Sequence, residues 1–238
     1  MIDITKEQLE RLYKKQKTVF GINFGIVIVC VGINVLLGSI HRHGVEIPGY
    51  LAITVILLII PCLAVLYFKE KLIPKEQRSK SVIEAYKALQ YDYTSDNAVH
   101  VLHQKIGQAQ TFPEKAMISM FLAEVYIFRG QIEEAVYIVN SVDRNQLTKY
   151  PSVGMSVYGD IISCYLEAGD NDSVLAAYRD AEPFIKECAE RSYTRCNSAV
   201  GILIDVNKAA GNYRKALDLV LMQNEFMNQF EQTVKKAA

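Results

Sequence analysis

The sequence predicts an all-α chain, with two membrane-spanning helices followed by a helical domain of about four hairpins. Three observations carry that prediction. Two runs hold no charged residue, Val19–Ile40 over 22 positions and Tyr50–Phe68 over 19. Beyond them, apolar residues recur at helical spacing and are broken by Gly130, Gly169 and Gly211, at intervals of 39 and 42 residues. No alternating apolar and polar run bounded by turn signals marks a strand.

Residues 1–18 form a basic segment, with Lys6, Arg11, Lys14, Lys15 and Lys17 against three acids. The first span, 19–40, follows. At about 1.5 Å per residue it crosses a hydrocarbon core roughly 30 Å thick, as does the second span, 50–68. Only the nine residues His41–Gly49 separate the spans, so the two run antiparallel. A cleaved signal peptide is the competing reading of the first run. Its length, the missing small-x-small cleavage site and the second span close behind it all argue against cleavage. The segment after the second span adds Lys69, Lys71, Lys75, Arg78 and Lys80, whereas the intervening loop has only Arg42. Flanking Lys and Arg stay on the cytoplasmic side, so both termini and the helical domain are expected there, with the loop outside the plasma membrane.

Gly21, Gly25 and Gly32 lie along one stripe of the first span, where another backbone can approach closely. The second span is the nearest candidate, and a second copy of the first helix is the alternative. Asn23 and Asn34, eleven residues apart, share a roughly opposite face. Amides facing lipid are costly, which points to a partner helix in the bilayer. Neither span contains an ionisable Asp, Glu, His, Lys or Arg, so a transport path is not supported.

Residues 69–80 read as a charged linker containing Pro74, and 81–238 as the helical domain. That domain carries 15 Lys/Arg and 20 Asp/Glu, so a phosphate backbone is a poor electrostatic partner for it and no nucleic acid is expected. Cys164, Cys188 and Cys196 are expected as free thiols acting as small buried hydrophobes, since no C-x-x-C pair occurs. Thr111-Phe112-Pro113-Glu114 reads as a helix start with a capping hydroxyl and Pro in the first turn. Gly130 ends that helix, and a second begins at Gln131. Gly169 and Gly211 repeat the device, and Asp170-Asn171-Asp172 reads as a turn with capping side chains.

Leu122-Ala123-x-x-Tyr126-x-x-x-Gly130-x-x-x-x-Ala135 resembles a tetratricopeptide repeat. Small residues at Ala123, Gly130 and Ala135 let two helices cross closely, while Leu122 and Tyr126 fill the space between. A further unit keeps Tyr158, Tyr165, Gly169, Tyr178 and Ala181 but has Val174 at the Ala position. The last keeps Leu203, Gly211, Tyr213 and Ala216 but has Asn207 at the Tyr position. A first unit, near 81–110, retains Ala98 alone. The units exceed the family's usual 34 residues.

The resemblance implies a scaffold that binds protein partners on the first helix of each hairpin. Carried over, that surface comprises Met117, Met120, Glu124, Ile127 and Phe128, then Ser156, Gly159, Ser163 and Glu167, then Ser198, Gly201, Asp205 and Lys208. Core packing is the competing use of its apolar members. No Lys or Arg cluster suited to clamping a carboxylate is present. Enzyme signatures are missing too: there is no glycine-rich phosphate loop, no H-E-x-x-H and no Cys/His metal spacing. Neither His41-x-His43 nor the pair His100 and His103 makes a complete metal site, so no cofactor is expected. Two other roles stay open: a sensor using the outer loop, and an accessory subunit docking through Asn23 and Asn34.

Overall fold

The computed structural model describes residues 1–18, 25, 79–91 and 95–237. Apart from Gly25, which is helical and exposed, both predicted spans lie outside these residues, as do Gly21, Asn23, Gly32 and Asn34. Among the described residues no helix is long and apolar enough to cross a membrane. The described chain is all-helical, with no strand.

The helices are α1 over 6–18, α2 (Lys80–Tyr91), α3 (Asp96–Gln108), α4 (Phe112–Phe128), α5 (Ile132–Asn140), α6 (Arg144–Leu147), α7 (Pro151–Glu167), α8 (Asn171–Arg191), α9 (Tyr193–Ala209) and α10 (Tyr213–Ala237). The chain divides into two compact units. One comprises Met1–Glu10 and Pro74–Ala238, and the other Arg11–Ile73.

Within the larger unit successive helices pack in pairs: α2 with α3, α4 with α5, α7 with α8, and α9 with α10. The first helices also form a row of their own, α4 on α7 and α7 on α9. Their sequences explain the placement. α4 buries Ala116, Ile118, Met120, Leu122, Ala123 and Val125, residues that cover most of its circumference. α8 instead buries Val174, Ala177, Tyr178, Ala181, Ile185 and Cys188, a single stripe at helical spacing. A helix apolar all round needs neighbours on several sides and takes the inner row. An amphipathic helix takes an outer one.

The start of α4 forms as its sequence predicts. The Thr111 side chain accepts from the Glu114 N–H, the Glu114 side chain accepts from the Thr111 N–H, and Pro113 sits in the first turn. At the other end Gly130 adopts φ 71°, as Gly169 does at 72° and Gly211 at 73°. The three turns are alike in their hydrogen bonds. Gly130 N–H donates to Ile127 O at 2.9 Å, and Gln131 N–H to Tyr126 O at 2.8 Å. The equivalents are Gly169 to Leu166 (3.0 Å) with Asp170 to Tyr165 (2.9 Å), and Gly211 to Lys208 (3.0 Å) with Asn212 to Asn207 (2.8 Å). This is the paired closure that satisfies the last carbonyls of a helix. Five residues after each glycine stands a buried residue, Ala135, Val174 or Ala216. The small side chain sits where the returning helix meets its partner.

Polar ties hold one pair to the next. The Tyr165 hydroxyl lies 2.5 Å from Asn140 Oδ1 and receives a bond from Arg144 at 2.6 Å. Tyr158 donates its hydroxyl to the Arg144 carbonyl, and Arg195 donates to Ser152 Oγ. Gly154 allows the closest approach, because a Cβ there would meet Leu147 O at 2.6 Å and Phe184 Cζ at 2.9 Å. A separate apolar cluster joins the first two pairs, with Val82, Leu89, Leu102, Ile118, Leu122 and Val125 at its centre.

Residues 1–10 belong to this unit, although nothing in their sequence marked them as part of it. Ile2 N–H donates to the Tyr178 hydroxyl on α8 at 2.9 Å. Asp3 faces Lys215 and Lys6 pairs with Glu225, both on α10. Ile4 and Leu9 are buried.

Candidate functional site: a groove between α7 and α9

The inner row carries a groove of about 420 Å³. Ser156, Gly159, Asp160 and Ser163 line it from α7, and Ser198, Gly201 and Asp205 from α9. Met155 and Ile202, both buried, contribute apolar surface. The groove opens because its rims are made of glycine and serine. A Cβ on Gly201 would meet nothing within 4 Å, and one on Gly159 only Ile202 Cγ1 at 3.7 Å.

Charge is concentrated in carboxylates. Asp205 is ion-paired to Lys208 at 3.0 Å. Asp160 is exposed at the groove wall, yet that wall strips hydration from its carboxyl. The carboxyl is pushed up to about 7, by desolvation first and by the charge of Glu124 second. Glu124 stands exposed on α4, the next helix of the inner row.

The expected partner surface thus divides in two. Ser156, Gly159, Ser163, Ser198, Gly201 and Asp205 come together around the groove. Lys208 and Glu167 are exposed nearby on α9 and α7. The α4 residues behave differently. Met120 is buried at 3% exposure, and Met117 packs on the cluster shared with α2 and α3. Met117 faces protein because α4 has the first two helices against that side. Ile127 is partly buried and Phe128 is 63% exposed. Asp160 was missing from the expected set. Its position, four residues after Ser156 and three before Ser163, places it on the same stripe and was the available signal.

Other features resolve into structure. The Asp170 side chain accepts from Ser173 N–H and caps α8, and its carboxyl pKa is lowered by the Ser173 side chain first and by that N–H second. His103 lies 3.1 Å from the Tyr126 hydroxyl. Cys164, Cys188 and Cys196 are buried free thiols, and burial pushes Cys164 and Cys196 up to about 11. Such thiols are poor nucleophiles. Among the described residues no cluster of His, Cys, Asp or Glu is arranged to hold a metal. In comparisons with known proteins the chain matches no family model, no curated protein and no solved structure.

Proposed function

We propose that this protein is a membrane-anchored scaffold whose tetratricopeptide-like helical array binds a protein partner in the groove between α7 and α9. The observation that carries the reading is the gathering of Ser156, Gly159, Ser163, Ser198, Gly201 and Asp205 around one cleft. These are the positions at which the family's inner helices meet their ligands. Three glycine turns with the same φ and hydrogen-bond pattern, each with a buried residue five positions on, support the repeat assignment. The role proposed for the groove is binding, which is what the repeat resemblance implies.

The anchor reading rests on the sequence, and the chain's path limits only the parity of any crossings. Residues up to Glu10 and from Pro74 onward share one compact unit. A chain that enters a bilayer between those points must return to the side it left, so the number of crossings is even. Two uncharged runs of 22 and 19 residues supply two crossings.

The test is crosslinking in cells of the tagged full-length protein, compared with its Gly201→Phe variant, followed by mass spectrometry. A Cβ at position 201 meets nothing within 4 Å, so Phe is introduced there to block the groove, with thermal unfolding checking that the variant is folded. Loss of a specific captured protein in the variant supports the reading. An unchanged set of captured proteins overturns it.

A further inference from the structure

α10 presents three sides, and among the described residues two of them are covered. Ala216 and Leu219 are buried on the side of Gln223, whose amide reaches Asn197 of α9 at 3.3 Å. Lys215 and Glu225 face residues 1–10 through Asp3 and Lys6. The third side carries Tyr213, Leu217 and Leu221, spaced four apart and so on one stripe, at 70%, 57% and 58% exposure.

The glycine turns give the second helices a common register. Counted from the turn glycine, the stripe occupies positions two, six and ten. In α5 these hold Ile132, Val136 and Asn140, and in α8 Asn171, Leu175 and Arg179. At all six the apolar residues are partly buried and the polar ones exposed. α10 breaks that rule: its stripe has the composition of a covered face and is open.

Charge along the stripe identifies the cover. Arg214 and Asp218 are exposed on one flank, a turn apart, and neither has an ion-pair partner among the described residues. When α10 is laid antiparallel on a copy of itself, centred on Leu217, Tyr213 meets Leu221 of the copy and Leu217 meets its counterpart. Arg214 then comes opposite Asp218 of the copy, and the two-fold axis repeats the pairing, so all four charges are matched. A parallel arrangement would set like charges against each other. From the open stripe and its self-complementary charge we infer that α10 is a homodimer interface, which takes α10 of a second copy across a two-fold axis. The inference rests on neither the groove nor its ligand.

Leu217 lies at the axis, so its Cys variant brings two thiols face to face. Full-length Leu217→Cys protein is oxidised with copper–phenanthroline in broken cells, before any detergent is added. The parent measures crosslinking through its own cysteines, and Tyr137→Cys, at a position 75% exposed on α5, measures random collision. A disulfide-linked dimer is expected from Leu217→Cys above both controls. Adding Arg214→Asp turns two attractions into two repulsions and should reduce that dimer about fivefold or more, and adding Asp218→Arg as well should restore it. Thermal unfolding confirms that each variant is folded. Crosslinking of Leu217→Cys no greater than that of Tyr137→Cys overturns the inference, as does a dimer indifferent to the charge reversal or one that the double swap fails to restore. An adduct of Leu217→Cys with a different protein also overturns it, because the stripe then belongs to another partner.

Discussion

Gln131 gives its backbone N–H to the Tyr126 carbonyl at 2.8 Å, and the bond closes because Gly130, between them, sits at φ 71°. No other residue type adopts that conformation without cost. A methyl group at Gly130 meets open space, so the penalty of Gly130→Ala is purely one of backbone, about 1–2 kcal/mol. Gly201 offers the opposite case. It lies in the interior of α9 with equally open space, and Gly201→Ala should stabilise by about 0.5–1 kcal/mol. Chemical denaturation of the two variants checks the pair. Opposite shifts in midpoint are expected, the larger for Gly130→Ala, and a neutral Gly130→Ala would refute the account of the turn.

Ala135 is fully buried where the second helix of its pair crosses the first. Replacing it with Lys combines overpacking with a buried charge and should cost at least about 3 kcal/mol. Thermal unfolding that matches the parent would remove the basis for reading Ala135 as a packing position of the repeat.

Asn207 is completely buried and makes one side-chain bond, from Nδ2 to the Leu203 carbonyl at 2.7 Å. Its Oδ1 has no partner. Asn207→Leu removes that stranded acceptor while keeping the branched shape, and should raise stability by about 1 kcal/mol. Destabilisation of similar size would instead show that Oδ1 is satisfied, for example by a buried water.

Asp160 sets a pH dependence whose direction follows from its raised carboxyl. The ordinary value is 3.8 and the folded protein holds it up to about 7, so between these values the native state binds more protons than the unfolded chain. Its contribution to stability therefore falls as pH rises from about 4 to about 7, then levels off. Desolvation at the groove wall raises it first, and the charge of Glu124 from α4 adds to that. Asp160→Asn should match the parent near pH 4 and exceed it above pH 7. The gain is on the order of 1 kcal/mol, well below the full linkage value because the side chain still reaches solvent. Urea midpoints measured across that range decide the matter. A gap that narrows as pH rises would contradict it.

Much of this architecture could be read in the chain beforehand, and for identifiable reasons. Thr111, Pro113 and Glu114 act locally, so their meaning survives folding. The glycines do too, because a helix end with φ near 70° is a backbone requirement that few residues meet. What escaped notice depends on distant partners. Met120 and Asp160 both sit on inner-row helices, yet one is buried and the other borders the groove. Which side of α4 receives α2 and α3 is settled by tertiary packing, and helical periodicity is silent on it. The long units also have a source that periodicity did not show. Part of the extra length forms α6, a single turn (Arg144–Leu147) inserted between α5 and α7, and part extends α8 to 21 residues.

The attachment of residues 1–10 to α8 and α10 bears on the order in which this protein can finish folding. Ile2 must wait for Tyr178, 176 positions later, and Lys6 for Glu225, 219 positions later. At ribosomal speeds the second interval lasts roughly 10–40 s. Through that time Ile4 and Leu9 have no completed site to enter, while the apolar runs behind them emerge and must find their own environment. Residues 1–10 are thus among the last of the described residues to settle, and their arrival reports that α10 is in place.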